Sequence, residues 1–257
     1  MNADKNQDET LARELAYHEQ LYSGFAQAHF ARPAVRALRT HMVAHILRIT
    51  GIGRGARVLS IGCGIGDTEL LLAPHVRELT GTDLSPAAIR QARADAERAG
   101  VRNVRFVEGA DLPAGPFDLA IGIFFLHHLP DAALAEIPRQ IHERLAPGGQ
   151  FYALDPSRQR LSGAIGSLLI PSLMKKYQSP DERELDGRET VALFERAGFE
   201  CRGGYYDFVS SPLAGLFPSW RFGYRCARLA DELLIRLPGI RRLGSNFELI
   251  AKRRPGA

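Results

Sequence analysis

From Arg57 to Asp155 the sequence alternates short apolar runs with longer amphipathic segments. The runs have the length of buried strands, and the segments between them show the apolar spacing of helices. Ser85 and Pro86 form a helix start signal, and the glycines of APGG at 146–149 form a stop signal. Such alternation is typical of a parallel sheet in an α/β domain. We predict strands at 57–61, 77–82, 104–108, 117–123 and 150–154, with helices near 67–74, 86–99 and 131–145.

The flanking parts of the chain are predicted to add helices and two further strands. We expect residues 1–50 to form a helical N-terminal arm or lid, followed by one main domain at 51–257. Pro33 suits the first turn of a helix in this arm. The flanking elements predicted from apolar spacing are helices at 10–22, 33–49 and 188–197, a strand at 199–210, a helical stretch to about 236, and a last strand at 246–252.

Composition excludes several classes of protein. The chain has 257 residues, 45% of them hydrophobic, and lacks the run of about 18 to 20 apolar residues that a membrane span requires. Its opening residues are polar and acidic, so we expect a cytoplasmic protein. Cys63, Cys201 and Cys226 are too scattered for a disulfide framework or a metal pair. The net charge of +4 is mild, and we expect neither a metal nor a nucleic-acid partner.

Three glycines follow the first predicted strand, in VLSIGCGIGDTEL at 58–70. A glycine turn between a strand and a helix points backbone N–H groups and the positive helix end at a ligand. An acid at the end of the next strand can accept the hydroxyls of a ribose, and Asp83 in LTGTDLSP has that position. The two features together predict a site for a nucleotide-like cofactor.

The glycine spacing discriminates between cofactors. A dinucleotide site has the pattern GxGxxG, whereas here Gly66 comes one place early and Asp67 follows it. A carboxylate beside a pyrophosphate would be repelled. The spacing therefore favours a ligand with an adenosine half and no phosphate over a nicotinamide cofactor.

The sequence resembles the class I S-adenosylmethionine-dependent methyltransferases, clearly over about residues 50–155 and weakly at the final strand. The resemblance rests on five motifs in the family's order: VLSIGCGIG, GTDLSPAAI, VRFVEGADLP, FDLAIGIFFLHHL and RLAPGGQFYALDP. It implies a Rossmann-like α/β fold with a seven-stranded, mostly parallel sheet, helices on both faces and an antiparallel last strand. It also implies S-adenosyl-L-methionine as cofactor.

The same resemblance assigns cofactor-binding positions in this chain. The glycine turn would line the methionine part, Asp83 with Leu84 would meet the ribose, and the loop after the third strand would meet the adenine edge. The residues after the fourth strand would lie beside the sulfonium. The implied cofactor-binding residues are Gly62, Cys63, Gly64, Gly66, Asp67, Asp83, Leu84, Ala110, Asp111, Ile123 and Phe124.

The chain departs from the family pattern at Ser60, where an acid commonly stands two places before the first glycine. Asp67 could substitute for that acid in contacting the ammonium group. Alternatively, a module that binds S-adenosylmethionine without catalysis would explain Ser60. Cys63 lacks a predicted activating partner, so we interpret it as a packing residue and not as a nucleophile.

Two histidines follow the fourth predicted strand at the mouth of the predicted site. His127 and His128 are the candidate catalytic residues, because a neutral imidazole can take a proton from a substrate hydroxyl. Such a pair also often serves only to pack beside the cofactor or to cap the loop. Methyl transfer depends mainly on alignment of the reactants, so the sequence need not contain an elaborate catalytic constellation.

The acceptor is sought in the segments outside the common sheet, at 1–50, 156–187 and 205–245. They are apolar, and between Trp220 and Leu243 arginines interleave with aromatic and aliphatic residues. These segments either pack on the sheet or meet a lipophilic acceptor and a membrane surface, the latter through 212–243. We predict methylation of a small or lipid-like acceptor, at oxygen, with C-methylation of a quinone or polyprenyl-type ring as the alternative.

Overall fold

The computed structural model describes residues 25–163 and 184–254 of the chain. Seven strands form one sheet in the order β3-β2-β1-β4-β5-β7-β6. The first five along the sequence run parallel, and β7 is antiparallel to both β5 and β6. This is the predicted Rossmann-like class. The strands are β1 (Arg57–Ile61), β2 (Glu78–Asp83), β3 (Val104–Glu108), β4 (Phe117–Ile123), β5 (Leu145–Pro156), β6 (Phe199–Asp207) and β7 (Asn246–Arg253).

Helices flank this sheet close to the predicted positions. Ser85 caps one of them as predicted, because its side chain accepts a hydrogen bond from the backbone N–H of Ala88 at 3.1 Å. The helices are α1 (Phe25–Phe30), α2 (Pro33–Thr50), α3 (Asp67–Leu72), α4 (Pro86–Arg98), α5 (Asp131–Arg144), α6 (Gly187–Arg196), α7 (Ser210–Leu216) and α8 (Arg221–Leu234).

The fifth strand is longer than the predicted 150–154. Its pairing with β4 starts at Phe117 and Leu145, then shifts so that Leu119 faces Gln150. Residues 146–149 therefore lie opposite the single residue Asp118 of β4, which leaves three extra residues on the β5 side, and Gly148 takes a φ of +77° there. Helix α5 ends at Arg144 and the strand begins at Leu145, so the predicted stop signal at 146–149 lies inside β5 and not at the helix end. Its glycines accommodate the irregular backbone of the strand there.

The sixth strand ends at Asp207, and the predicted extension to 210 is wrong. Asp207 Oδ2 accepts a hydrogen bond from the backbone N–H of Ser211 at 2.7 Å, which starts a helix in place of further strand. The predicted single helical stretch is likewise two helices, α7 and α8. The predicted helix at 10–22, with Tyr17, His18 and Tyr22, and most of the 156–187 insertion lie outside the described residues.

Apolar side chains fill both faces of the sheet. On one face α2, through Leu38, Met42 and Ile46, packs against Val58 of β1 and Tyr152 of β5. Helices α5 and α6 cover the other face with the remaining core residues. Since β1, β2 and β4 are parallel, their carboxyl ends meet at one edge, and the turns that follow them can form a common site there.

Candidate active site

A cavity of about 570 Å³ opens at the carboxyl ends of β1, β2 and β4. Its volume lies within the range of roughly 300–1,000 Å³ that is typical of small-molecule sites. The glycine turn, Asp83, the loop after β3, Arg39 of α2 and the residues after β4 all line it. The topology thus brings together the elements that the sequence analysis assigned to one site.

The glycine turn joins β1 to α3 with three residues in left-handed conformations. Gly62, Gly64 and Gly66 have φ values of +66°, +52° and +75°. Gly62 and Gly64 line the cavity, whereas Gly66 does not. A Cβ atom on Gly66 would lie 2.5 Å from the ring of Phe106. This third glycine therefore permits close packing of the turn on the sheet.

Asp83 adjoins the glycine turn, as predicted. Its Oδ2 accepts a hydrogen bond from the backbone N–H of Gly64 at 2.8 Å, and its Oδ1 accepts one from the N–H of Ser85 at 2.9 Å. Each carboxylate oxygen has a second lone pair, so Asp83 can still accept the hydroxyls of a ligand. It lines the cavity together with Leu84 and Thr82.

Glu69 is a site residue that the sequence analysis missed. It lines the cavity from the first turn of α3, is only 3% exposed, and accepts a hydrogen bond from Ser60 Oγ at 2.6 Å. Burial, reinforced by the nearby charge of Asp67, raises the pKa of Glu69 to about 7. Its second oxygen, Oε2, has no hydrogen-bond partner among the described residues. A cationic ligand group would satisfy this buried atom.

Asp67 lines the same cavity but is already paired. Its Oδ2 lies 2.9 Å from Nε of Arg39, which comes from α2. The guanidinium of Arg39 also lies over the rings of Phe30 and Phe124, at 5.2 and 5.5 Å from their centroids. No local sequence pattern marks Arg39 as a site residue, because only the tertiary fold brings it close to Asp67. This arrangement favours Glu69 over Asp67 as the acid that meets an ammonium group.

Phe124 has a strained backbone at the mouth of the cavity. Its φ of +54° is a left-handed conformation that costs a residue with a Cβ roughly 1–2 kcal/mol. Its backbone N–H donates to the carbonyl oxygen of Leu154 at 2.7 Å, which holds the turn after β4 in place. Ile123 and Phe124 both line the cavity, and their place beside the sulfonium stays a prediction. Strain of this kind is often retained at functional sites.

The structure separates the two candidate histidines. His128 lines the cavity, and His127 does not. His127 is 4% exposed, and its Nδ1 lies 2.7 Å from Oδ1 of the fully buried Asp155. The backbone N–H of His127 donates to the same oxygen at 3.2 Å. These bonds favour a structural role for His127 in fixing the loop after β4, and His128 is the candidate histidine that lines the cavity.

The remaining predicted positions divide in the same way. Ala110 and Cys63 line the cavity, while Asp111 is exposed and does not. The predicted contact of Asp111 with adenine stays a prediction. Burial raises the pKa of the Cys63 thiol well above its ordinary value, which agrees with its interpretation as a packing residue. Within residues 25–163 and 184–254, no group of three or more His, Cys, Asp and Glu residues could hold a metal ion.

Comparisons with known proteins agree with this geometry. Residues 58–149 match the model of a methyltransferase domain. A demethylmenaquinone methyltransferase of Listeria monocytogenes serotype 4b is 25% identical over 203 residues, which cover 70% of this chain and 82% of that protein. A Mycolicibacterium smegmatis protein named "Probable S-adenosylmethionine-dependent methyltransferase" is 30% identical over 162 residues, covering 63% and 59% of the two chains.

A solved structure shows the same fold. The crystal structure of YcgJ from Bacillus subtilis has a TM-score of 0.57 at 21% identity, and the match covers 84% of this chain and 99% of that one. The fold and the motif-bearing site therefore define a class I methyltransferase. Residues 58–149 are a methyltransferase domain, and the similarity of the chain to S-adenosylmethionine-dependent methyltransferases identifies it as an enzyme that uses S-adenosyl-L-methionine as its cofactor.

The residues present fit that cofactor. Its ribose needs an acceptor of hydroxyl protons beside the glycine turn, and Asp83 lies there with free lone pairs on its oxygens. Its ammonium group needs a buried acceptor, and Glu69 Oε2 lacks a partner among the described residues. A cavity lined only by apolar side chains would offer no acceptor to the ribose hydroxyls or to the ammonium group.

Proposed function

We propose that the enzyme transfers a methyl group to a small, lipophilic acceptor, at an oxygen atom. The observation that carries the proposal is the aromatic end of the cavity, where Phe30 and Phe124 flank Arg39. These groups line the same cavity as Ile123 and the glycine turn. An acceptor with a flat, apolar ring and a polar substituent suits such a surface, because the rings contact its faces while Arg39 meets the substituent.

Cofactor binding in this proposal uses the acids on either side of the glycine turn. Asp83 holds the ribose hydroxyls, and Glu69 holds the ammonium group in place of the acid that Ser60 replaces. Ala110 and Leu84 contact the adenosine half. When bound, S-adenosylmethionine supplies an electrophilic methyl group that leaves a neutral thioether behind.

The chain's own contribution is alignment and one proton transfer. The rings of Phe30 and Phe124 exclude water from the acceptor and hold its reacting oxygen toward the turn at Ile123 and Phe124, where the methyl group of the cofactor is proposed to lie. Alignment of this kind supplies much of the rate. His128, at the cavity surface, takes the proton of the acceptor hydroxyl. The buried His127–Asp155 pair positions the loop that carries His128.

C-methylation of a quinone-type ring is the second candidate. It is favoured by the relatives named demethylmenaquinone methyltransferase, several of which match 70% of this chain. The same aromatic surface and the same base suit a reduced ring whose hydroxyl must lose a proton before its carbon attacks. Both candidates are lipophilic ring compounds, so the distinction lies in the atom that is methylated.

The experiment is incubation of the purified chain with S-adenosylmethionine carrying a labelled methyl group, together with hydroxylated naphthoquinols, simple phenols and a polar acceptor such as glycine. We expect label in the organic extract, carried by the ring compounds. Fragmentation of the product in mass spectrometry separates a methyl ether from a ring methyl group. Label transferred only to the polar acceptor would contradict the proposal.

A further inference from the structure

Helix α8 has an unusual distribution of side chains, with polar groups inside and apolar groups outside. Its buried face carries Tyr224, Arg228 and Asp231, which recur at the spacing of one helix face. Arg228 donates a hydrogen bond to the carbonyl oxygen of Tyr206 at 2.9 Å. Asp231 accepts hydrogen bonds from the backbone N–H groups of Val209 and Ser210, at 3.0 and 2.8 Å. These bonds fix α8 to β6 and α7 through its polar side.

The opposite face of α8 exposes an apolar stripe. Phe222, Leu229 and Leu233 are 72%, 66% and 67% exposed, and Cys226 lies between them. At 100° per residue these four positions fall within about 60° of one another, on the side of the helix away from the buried face. A contiguous exposed apolar stripe of this size on a helix marks an interaction site for another protein or a membrane.

The stripe continues at both ends of the helix. Phe217 and Trp220 precede it, 56% and 53% exposed, with their ring centroids 6.2 Å apart. Leu237, Ile240 and Leu243 follow it and are all exposed. We call the whole surface, from Phe217 to Leu243, the α8 surface.

Arginines fringe the α8 surface. The exposed cations are Arg221, Arg225 and Arg236 beside the stripe and Arg241 and Arg242 beyond it, and the exposed acid in the same segment is Glu232. Its Oε1 lies 3.8 Å from Nε of the buried Arg228. The fringe therefore has a strong positive charge with little internal neutralisation. Arginine stems can lie along apolar material while their guanidinium groups bind phosphates.

The α8 surface also adjoins the active site. The carbonyl oxygen of Pro218, in the α7–α8 corner, accepts a hydrogen bond from the backbone N–H of Ala34 at 2.8 Å, at the start of α2. Arg39, which lines the cavity, lies further along that helix by about 7.5 Å of axial rise. A partner seated on the α8 surface would thus lie beside the mouth of the cavity.

We propose that the α8 surface docks the enzyme on an anionic lipid bilayer. The stripe enters the boundary between headgroups and acyl chains, and the arginines bind lipid phosphates, which is the arrangement of interfacial amphipathic helices. A second copy of the chain is a poorer occupant, because a symmetric contact would bring two arginine fringes together. This docking goes beyond the proposed function, and it is tested by binding alone, so its failure would leave the methyl-transfer proposal standing.

The test is flotation of the full chain with vesicles of phosphatidylglycerol and phosphatidylcholine, against vesicles of phosphatidylcholine alone. We expect flotation only with the anionic vesicles, weakening as salt is raised. Trp220 is the chain's only tryptophan, so its fluorescence reports this surface without labelling. Its emission should shift to the blue on binding, and brominated acyl chains should quench it.

Variants locate the contact. Phe222→Ser with Leu229→Ser and Leu233→Ser should lower the partition coefficient at least about 100-fold. Arg225→Gln with Arg236→Gln should lower it about 5-fold per arginine. The matched control is Arg90→Gln with Arg102→Gln, which removes the same charge from exposed positions elsewhere on the surface. It should change the partition coefficient less than about 2-fold. Circular dichroism checks that the variants remain folded.

Three results would overturn the proposal. The wild-type chain could fail to float with anionic vesicles, the apolar variant could float as well as the wild type, or Trp220 could stay unquenched by brominated lipid. Sedimentation equilibrium adds a direct test of the rival occupant. A wild-type dimer that the apolar variant converts to a monomer would assign the α8 surface to a second copy of the chain.

Discussion

Replacing Glu69 with glutamine isolates the charge of the buried acid that we assign to the cofactor's ammonium group. Glutamine keeps the volume of the side chain and an oxygen for the hydrogen bond from Ser60, and removes only the ionisation. A hydrogen bond to a charged group is worth about 1.5–3 kcal/mol. At pH 8, Glu69→Gln should therefore weaken binding of S-adenosylhomocysteine about 10- to 100-fold.

The loss should depend on pH, because the pKa of Glu69 in the free enzyme is raised to about 7. Above that pH the wild-type carboxylate is ionised and binds the ammonium group at full strength. Below it, ligand binding must expel a proton, and wild-type affinity should fall about tenfold per pH unit. The variant has no proton to lose, so the gap between the two proteins should narrow as the pH falls from 8 to 6.

Stability should change in the opposite direction. The pKa of Glu69 rises from an ordinary value of 4.5 to about 7 on folding. The folded state therefore holds this proton more tightly than the unfolded state, and the wild-type free energy of unfolding falls as pH rises from about 4.5 to 7. The rise in pKa corresponds to a cost of about 3 kcal/mol once the pH exceeds 7. Without ligand, Glu69→Gln should be the more stable protein at pH 8 and lose that advantage below pH 4.5.

Calorimetric titration with S-adenosylhomocysteine at pH 6, 7 and 8 measures the affinity, in two buffers whose ionisation heats differ so that proton release is counted. Urea unfolding of the free proteins at the same pH values measures the stability. Glu97→Gln, on the exposed side of α4, is the matched control and should change neither quantity. A ratio of affinities that does not vary with pH, together with a less stable variant at pH 8, would refute the assignment of Glu69.

Three further substitutions test other parts of the site. His128→Asn should lower kcat for a hydroxyl acceptor about 100-fold or more and leave S-adenosylhomocysteine affinity within about 2-fold; an unchanged kcat would remove His128 as the base. Phe124→Asn, which tolerates positive φ, should change the free energy of unfolding by less than about 1 kcal/mol and lower kcat/KM for a lipophilic acceptor about tenfold. Gly66→Ala should lower the free energy of unfolding in urea by about 1–3 kcal/mol more than Gly51→Ala does. Gly51 is the control, because it also has positive φ but a Cβ there would meet no atom within 4 Å. Equal losses in the two variants would mean that the Phe106 ring moves aside without cost.

The sheet and the glycine turn could be predicted because their signals are local. A buried strand is a short apolar run, and a turn with positive φ requires glycine, so both can be identified within a few residues. Asp83 was predictable for a related reason, since parallel strands end at one edge of the sheet. The position of Asp83 beside Gly64 confirms that inference.

The acids and cations of the site were not predictable, because their partners are distant in sequence. The pairing of Asp67 with Arg39 depends on how α2 packs over the sheet, and no pattern in either segment indicates it. Glu69 meets Ser60 only because the glycine turn folds α3 back over the end of β1. The serine in the family's acidic position indicated that an acid was missing, but not where its replacement stands.

Helix α8 shows the limit of apolar spacing as a signal. The spacing of its apolar residues correctly predicts a helix. The usual interpretation of such an apolar stripe is that it faces the core. The stripe is instead exposed, because Arg228 and Asp231 satisfy backbone groups of β6 and α7 from the inner face. Among the aromatic and aliphatic residues of this stretch, Trp220 and Phe222 are exposed, while Leu234 is half-buried.

We propose that Asp83 holds the ribose of S-adenosylmethionine beside the glycine turn, and the whole cofactor site depends on that contact. Calorimetric titration of the wild-type chain, Asp83→Asn and Glu97→Gln with S-adenosylhomocysteine, and of the wild type with NAD, tests it most directly. We expect one ligand per chain, an affinity at least about tenfold weaker in Asp83→Asn alone, and no measurable binding of NAD. Equal affinity in all three proteins, or tight binding of NAD, would contradict the claim.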